Sequence, residues 1–102
     1  MASTAEALMR SRYSAYVFDM RDYLQKTWHP DTRPVVSPPE AGLKWLGLTV
    51  HEAWQSTSDE AFVRFTARYK IGGTRAQKLQ ELSRFVRVNG VWYYMDGEIS
   101  EE

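Results

Sequence analysis

The chain has no cysteine. That absence excludes a disulfide framework, a thiolate nucleophile and a thiolate zinc site. Histidine is nearly as scarce. Only His29 and His51 offer an imidazole, too few for a multi-histidine metal centre within one chain. Neither a metal nor a cofactor is expected. No apolar run approaches the roughly 20 residues of a membrane-spanning helix, and the N-terminus lacks the basic-then-apolar layout of a secretory signal. The expectation is a cytoplasmic protein with no membrane partner. Net charge is lacking as well: 13 Lys and Arg balance 13 Asp and Glu, so no global field recommends nucleic acid as a partner. There is no Gly-rich phosphate loop and no Gly-x-Ser-x-Gly elbow. Proline is confined to Pro30, Pro34, Pro38 and Pro39.

What is present is aromatic. Four Trp and six Tyr in 102 residues supply large apolar bodies with polar tips, the kind enriched at pockets and interfaces. One domain of this size buries roughly 60–70% of its unfolded surface, so a core forms without staples. Residues 1–102 read as a single domain, with an ordered core over 4–97.

Ser3-Thr4-Ala5-Glu6 has capping-box spacing, a hydroxyl followed three residues later by a carboxylate. Leu8, Met9, Tyr13, Tyr16 and Val17 then recur at helical spacing through Phe18. Asp19 is placed to cap a second helix, Met20 to about Trp28. Pro30 and Pro34 end the helical pattern. A long connection runs from His29 to Gly42, with Val35-Val36 as a brief extended piece.

From Leu43 the period becomes two. Lys44 to Thr57 alternates, with Leu46, Leu48, Val50 and Trp54 on one parity. A turn follows at Ser56 to Asp59. Ala61 to Ile71 alternates most cleanly, Val63, Phe65 and Ala67 on one face and Arg64, Thr66 and Arg68 on the other. Gly72-Gly73 turns the chain, Lys78 to Asn89 is a third strand, and Asn89-Gly90 signals a tight hairpin. Val91 to about Asp96 is the fourth strand, and the residues after Gly97 read as a frayed acidic tail. Helices first, then a meander, predict an α+β fold with N-terminal helices packed on a four-stranded antiparallel sheet.

Charge is unevenly placed. Arg64, Arg68, Lys70, Arg75, Lys78, Arg84 and Arg87 face only Glu81 across that stretch. They form either a solvated strand face or a patch for an acidic partner.

Several motifs occur in order: Ala7-Leu8-Met9-Arg10-Ser11-Arg12-Tyr13-Ser14-Ala15-Tyr16, Trp28-His29-Pro30, Thr32-Arg33-Pro34, Trp45-Leu46-Gly47-Leu48, Ser83-Arg84-Phe85 and Trp92-Tyr93-Tyr94-Met95-Asp96-Gly97. Together they resemble the middle domain of YchJ-like proteins, within the nuclear transport factor 2-like (SnoaL-like, cystatin-like) superfamily. The resemblance implies a curved sheet wrapped on its helices as a cone with a cavity, and a homodimer through the sheet. It implies a scaffold and not a reaction. Family members commonly carry zinc-binding SEC-C motifs. With no Cys here, no zinc contact is carried over. Members also read Leu-His-Glu where this chain has Leu79-Gln80-Glu81, so that imidazole has no counterpart.

Glu81 is the sharpest chemical candidate. Parity sets it beside Leu79, Ser83 and Phe85, on the face that continues Val63 and Phe65. A carboxylate that loses hydration among apolar groups is the raw material of a general base. The other reading pairs it with Arg10, Arg12 or Arg33, tying helix to sheet. A bulge in the third strand would turn it to the other face. His29 is either an acid or base at the cavity rim, oriented by Asp31 or Glu81, or a helix cap. Arg10 and Arg12 lie about 200° apart on the helical wheel. One is left to solvent and the other reaches a buried acid or a ligand carboxylate. The expected cavity lining is Tyr13, Tyr16, Arg12 and Arg33, with Trp45, Phe85, Trp92 and Tyr94. Two functions are carried forward: a module that binds a small apolar ligand or a protein, and a small acid–base enzyme using Glu81 and His29.

Overall fold

The first helix starts one residue later than the capping box suggests. In the computed structural model, which describes residues 2–34 and 42–100, Thr4 is extended (φ −138°, ψ 160°) and its Oγ1 accepts the Ala7 N–H at 3.0 Å. That bond satisfies one of the donors a first turn leaves free. With Thr4 as the cap, the third helical position is Ala7, which has no carboxylate to return the bond. Glu6 pairs with Arg10 instead, at 3.0 Å. Helix α1 spans Ala5–Val17 and buries Ala5, Leu8, Met9, Arg12 and Ala15.

Asp19 does not cap the second helix. It closes the first one, in the left-handed region at φ 54°. Its N–H bonds Tyr16 O at 3.3 Å, and the Met20 N–H bonds Ala15 O at 2.7 Å, the paired bonds of a Schellman ending. A left-handed residue lacks the extended backbone an N-cap needs, so Met20 takes that position with no side-chain cap bond. Helix α2 is Arg21–Lys26, shorter than the pattern through Trp28 predicts. Backbone pairing with the sheet takes over: His29 N–H donates to Tyr94 O and Tyr94 N–H to Thr27 O, both at 2.8 Å. Val35-Val36 lies outside the described residues.

Strands β1 (Leu43–Thr57), β2 (Glu60–Ile71), β3 (Gln77–Val88) and β4 (Val91–Ser100) form one antiparallel meander in the order β1-β2-β3-β4. Asn89 (φ 51°) and Gly90 (φ 79°) make the last turn, the mirror-image type that suits strand twist.

Single parity fails on β1. Its register slips between Trp45 and Gly47, between Val50 and Glu52, and between Gln55 and Thr57. Each bulge resets which side chain faces in. Trp45, Leu48, Val50 and Ala53 therefore oppose Tyr69, Ala67, Phe65 and Val63. Leu46 and Trp54 turn outward, where Trp54 stacks on Phe62 with centroids 5.4 Å apart. Bulges also bend the strand and increase its twist, which curves the sheet around α1.

Strand β3 keeps its alternation, with Glu81 on the inner face. The slip lies in β4, where Phe85 opposes Tyr94 but Arg84 opposes Asp96. That extra residue sets Gly97 and Ile99 over Ser83 and Glu81. The acidic end accordingly does not fray after Gly97: Glu98 and Ser100 continue the ladder on Leu82 and Gln80.

The core gathers Leu8 and Met9 of α1 with Val63, Phe65, Ala67, Phe85 and Trp92 of the sheet. Outside, part of the basic stretch is neutralised by neighbouring strands. Arg64 meets Glu52 at 2.5 Å, Arg84 meets Asp96 at 2.9 Å and Glu60 at 3.4 Å, and Arg87 meets Asp59 at 3.5 Å. Asp96 is held below its ordinary carboxylate range, chiefly by its hydrogen bonds from Arg84.

Candidate functional site

Where α1 crosses the curved sheet, the two do not fill the space between them. A cavity of about 350 Å³ remains. Helical spacing explains its α1 wall. Tyr13 and Tyr16 lie three residues apart, hence on one side of α1. Both meet Trp45, with ring centroids 5.9 Å away in each case. Trp45 leans in turn on Tyr69 at 5.8 Å. The first β1 bulge is what brings Trp45 inside. Phe65, Ala67 and Phe85 line the sheet side. Tyr16 and Ile99 also line the cavity and are exposed, so it opens to solvent at these side chains.

The polar end is built from β3, β4 and α1. Glu81 Oε2 accepts hydrogen bonds from Ser83 Oγ and, at 3.2 Å, from Tyr94 OH. Ser83 is two residues from Glu81 on the same face, and Tyr94 arrives from β4. The Glu81 carboxyl sits over Gly97: a Cβ built there would fall 2.8 Å from Glu81 Cδ. No side chain fits at residue 97 unless Glu81 moves. Gly97→Ala is expected to push the carboxylate off Ser83 and Tyr94 and to cost about 1.5–3 kcal/mol, the range for hydrogen bonds to a charged group. Urea unfolding measures the cost. An ultraviolet alkaline titration should show the Tyr94 hydroxyl losing its proton at lower pH than in the parent.

Arg12 is 5% exposed, an extreme burial for a guanidinium. Its Nη1 donates to Leu24 O at 2.9 Å and to Thr27 Oγ1 at 2.6 Å. Its Cζ lies 4.7 Å from the Tyr94 ring centroid and 5.1 Å from that of Trp28, within cation–π range. Burial lowers the Arg12 pKa, and the nearby Tyr16, Tyr94 and Glu81 oppose that shift. Tyr94 is pushed well above the ordinary phenol range, by burial first and then by the charge and hydrogen bond of Glu81. Its hydroxyl therefore stays a donor at neutral pH.

The pairing of Glu81 with an arginine is not what the structure shows. Among the described residues Glu81 makes no ion pair within 4 Å, since Ser83 and Tyr94 take its Oε2. Arg10 is engaged with Glu6, and Arg33 donates from Nε and Nη2 to Trp28 O at 3.1 and 2.8 Å. Arg33 thereby takes the capping role that sequence gave His29, and it stands outside the cavity lining. His29 does not join Glu81 either. Its Nδ1 accepts the Asp31 N–H at 3.1 Å, and its ring meets Tyr93 edge-on at 6.0 Å. Tyr93 and Tyr94 are adjacent strand residues and point to opposite faces, so His29 is on the far side of β4 from the cavity. Trp92 packs into the core, under Arg87 at 5.1 Å, and is likewise not part of the lining. Of the residues read from sequence, the cavity thus collects Glu81, Arg12, Tyr13, Tyr16, Trp45, Phe85 and Tyr94.

Trp28, Ser83 and Gly97 were missed as site residues. Parity put Ser83 beside Glu81 and was the available signal for it. Trp28 and Gly97 depend on the β4 pairing and its bulge, which no local pattern announces. Among the described residues no group of three or more His, Asp or Glu could hold a metal ion, and no helix is long and apolar enough to cross a membrane.

Comparison with known proteins agrees with this architecture. Residues 4–97 match the family described as YchJ, middle NTF2-like domain. A UPF0225 protein of Methylibium petroleiphilum is 54% identical over 99 residues, covering 96% of this chain and 72% of that protein. A UPF0225 protein of Bordetella pertussis is also 54% identical over 99 residues, covering 96% of this chain and 74% of its own length. The solution structure of RPA3114, a SEC-C motif containing protein from Rhodopseudomonas palustris, superimposes with a TM-score of 0.84 at 31% identity, covering 97% of this chain and 80% of that one.

Proposed function

The chain belongs to the YchJ middle, NTF2-like domain family, and we propose that it serves as a small-ligand-binding module whose ligand occupies the cavity beneath α1. One observation carries this reading: an opening of about 350 Å³ with aromatic walls and a single polar end. Cavities that take small molecules are commonly of about this size or larger, apolar, and furnished with a few placed polar groups. The acid–base pair of Glu81 with His29 lacks its second member inside the cavity. Glu81 there serves as a fixed acceptor, held by Ser83 and Tyr94.

Native mass spectrometry of freshly purified protein, followed by a thermal-shift screen of metabolites, tests the reading. A ligand present at a hundredfold over its Kd should raise Tm by on the order of 10 °C, and Trp45→Ala should abolish the shift. If no small molecule co-purifies and none in the screen moves Tm, the binding reading fails.

A further inference from the structure

We infer that the ligand of this cavity is a small apolar monocarboxylic acid whose carboxylate is received by Arg12. The inference rests on the small-ligand reading and names its chemical class. Arg12 is a charged group almost wholly withdrawn from water, at 5% exposure, and no carboxylate lies within 4 Å of it among the described residues. Its Nη1 donates to a backbone carbonyl and a hydroxyl, the Tyr16 hydroxyl also neighbours the guanidinium, and none of these groups is a carboxylate. Neither of those two bonds uses the Nε–Nη2 edge, and Arg12 lines the cavity. That edge is a planar two-donor fork, the match for a carboxylate.

The rest of the cavity narrows the class. Tyr13, Tyr16 and Trp45 offer ring faces and edges to an apolar body. Glu81 keeps its own carboxylate at the same end, with both recorded bonds on Oε2. Its Oε1 takes neither of those bonds, and Glu81 lines the cavity. A second acidic group on the ligand would meet that charge and be repelled, whereas a hydroxyl or N–H would be accepted. The fit is one acid at Arg12, an apolar body under Tyr13 and Tyr16, and no second anionic group.

Matched acid and amide probes test this on the intact chain: 3-phenylpropanoate against 3-phenylpropanamide, and indole-3-acetate against indole-3-acetamide. Affinities are read by tryptophan quenching and by the Arg12 Nε–H resonance. Each acid should bind at least tenfold more tightly than its amide and should shift the Arg12 Nε–H signal, which the amide leaves in place. Arg12→Gln should erase the acid preference while keeping amide binding, and Arg12→Lys should restore part of it. Acids and amides binding equally well, or an unmoved Arg12 signal with acid bound, would overturn the carboxylate assignment and leave the small-ligand reading standing. Failure of every probe, together with an empty metabolite screen, would remove both. The resonance measurement uses the parent protein, so the outcome stands even if the Arg12 variants do not fold.

Discussion

Phe85→Ala is expected to lower the free energy of unfolding by about 3–5 kcal/mol, the usual cost of emptying a buried phenylalanine position. Phe85 is fully enclosed, at 0% exposure. It meets Tyr94 edge-to-face with centroids 5.7 Å apart, and the residue opposite it on β2 is only Ala61. The small Ala61 side chain cannot fill the space that the ring leaves. A domain commonly has about 5–15 kcal/mol of stability in total, so the loss is a large fraction. The melting temperature should fall by more than about 10 °C. Urea titration at neutral pH measures it. A cost below about 1 kcal/mol would show that the cavity floor is not packed as described. The variant also enlarges the cavity beside Tyr94, so ligand affinity and stability are to be measured together.

A further expected effect lies at alkaline pH. The Tyr94 hydroxyl is held protonated in the folded state, above the ordinary phenol value, whereas an unfolded tyrosine releases its proton near pH 10. Its stabilising contribution is thus fully present below about pH 10 and is lost as pH rises toward the folded-state pKa. In that window the unfolded chain binds fewer protons than the native one, so stability falls with pH. One proton corresponds to about 1.4 kcal/mol per pH unit. Between pH 10 and 11, the parent should therefore lose about 1 kcal/mol more than Tyr94→Phe does. Urea unfolding of both proteins at each pH provides the comparison, and other titrating groups cancel in the difference. Equal pH slopes would mean that the hydroxyl is not kept neutral by its surroundings.

Elements whose signal is local were legible from the residues. The strict alternation of Ala61 to Ile71 became β2, and Asn89-Gly90 became the mirror-image turn. The inner placement of Glu81 followed from parity alone, because β3 carries no slip. Legibility ended where a distant strand decides. On β1, Trp45 and Leu46 are both apolar, as are Ala53 and Trp54, so the hydrophobic pattern cannot say which turns inward. The bulges do, and they are properties of the pairing with β2. The reach of β4 to Ser100 and the exit of Trp28 from its helix depend in the same way on partners more than ten residues away. The site shows the same division. Its aromatic walls were readable as residue types, whereas the partners of Arg12 and Glu81 were not. Arg12 is claimed by the carbonyl of Leu24 and the hydroxyl of Thr27, neither of which carries a charge that sequence would flag.

The irregularities of β1 and β4 have a second consequence. The sheet does not close, so both strands lie at open margins, where unpaired N–H and C=O groups template strand addition by other molecules. Repeated slips in β1 break the regular spacing such a template requires. On the opposite margin, the backbone of Thr27 and His29 occupies the hydrogen-bonding groups of Tyr94. The distortions that shape the cavity thereby also guard the domain against edge-to-edge polymerisation. Straightening β1 to improve its strand geometry would restore the regular spacing that strand addition needs.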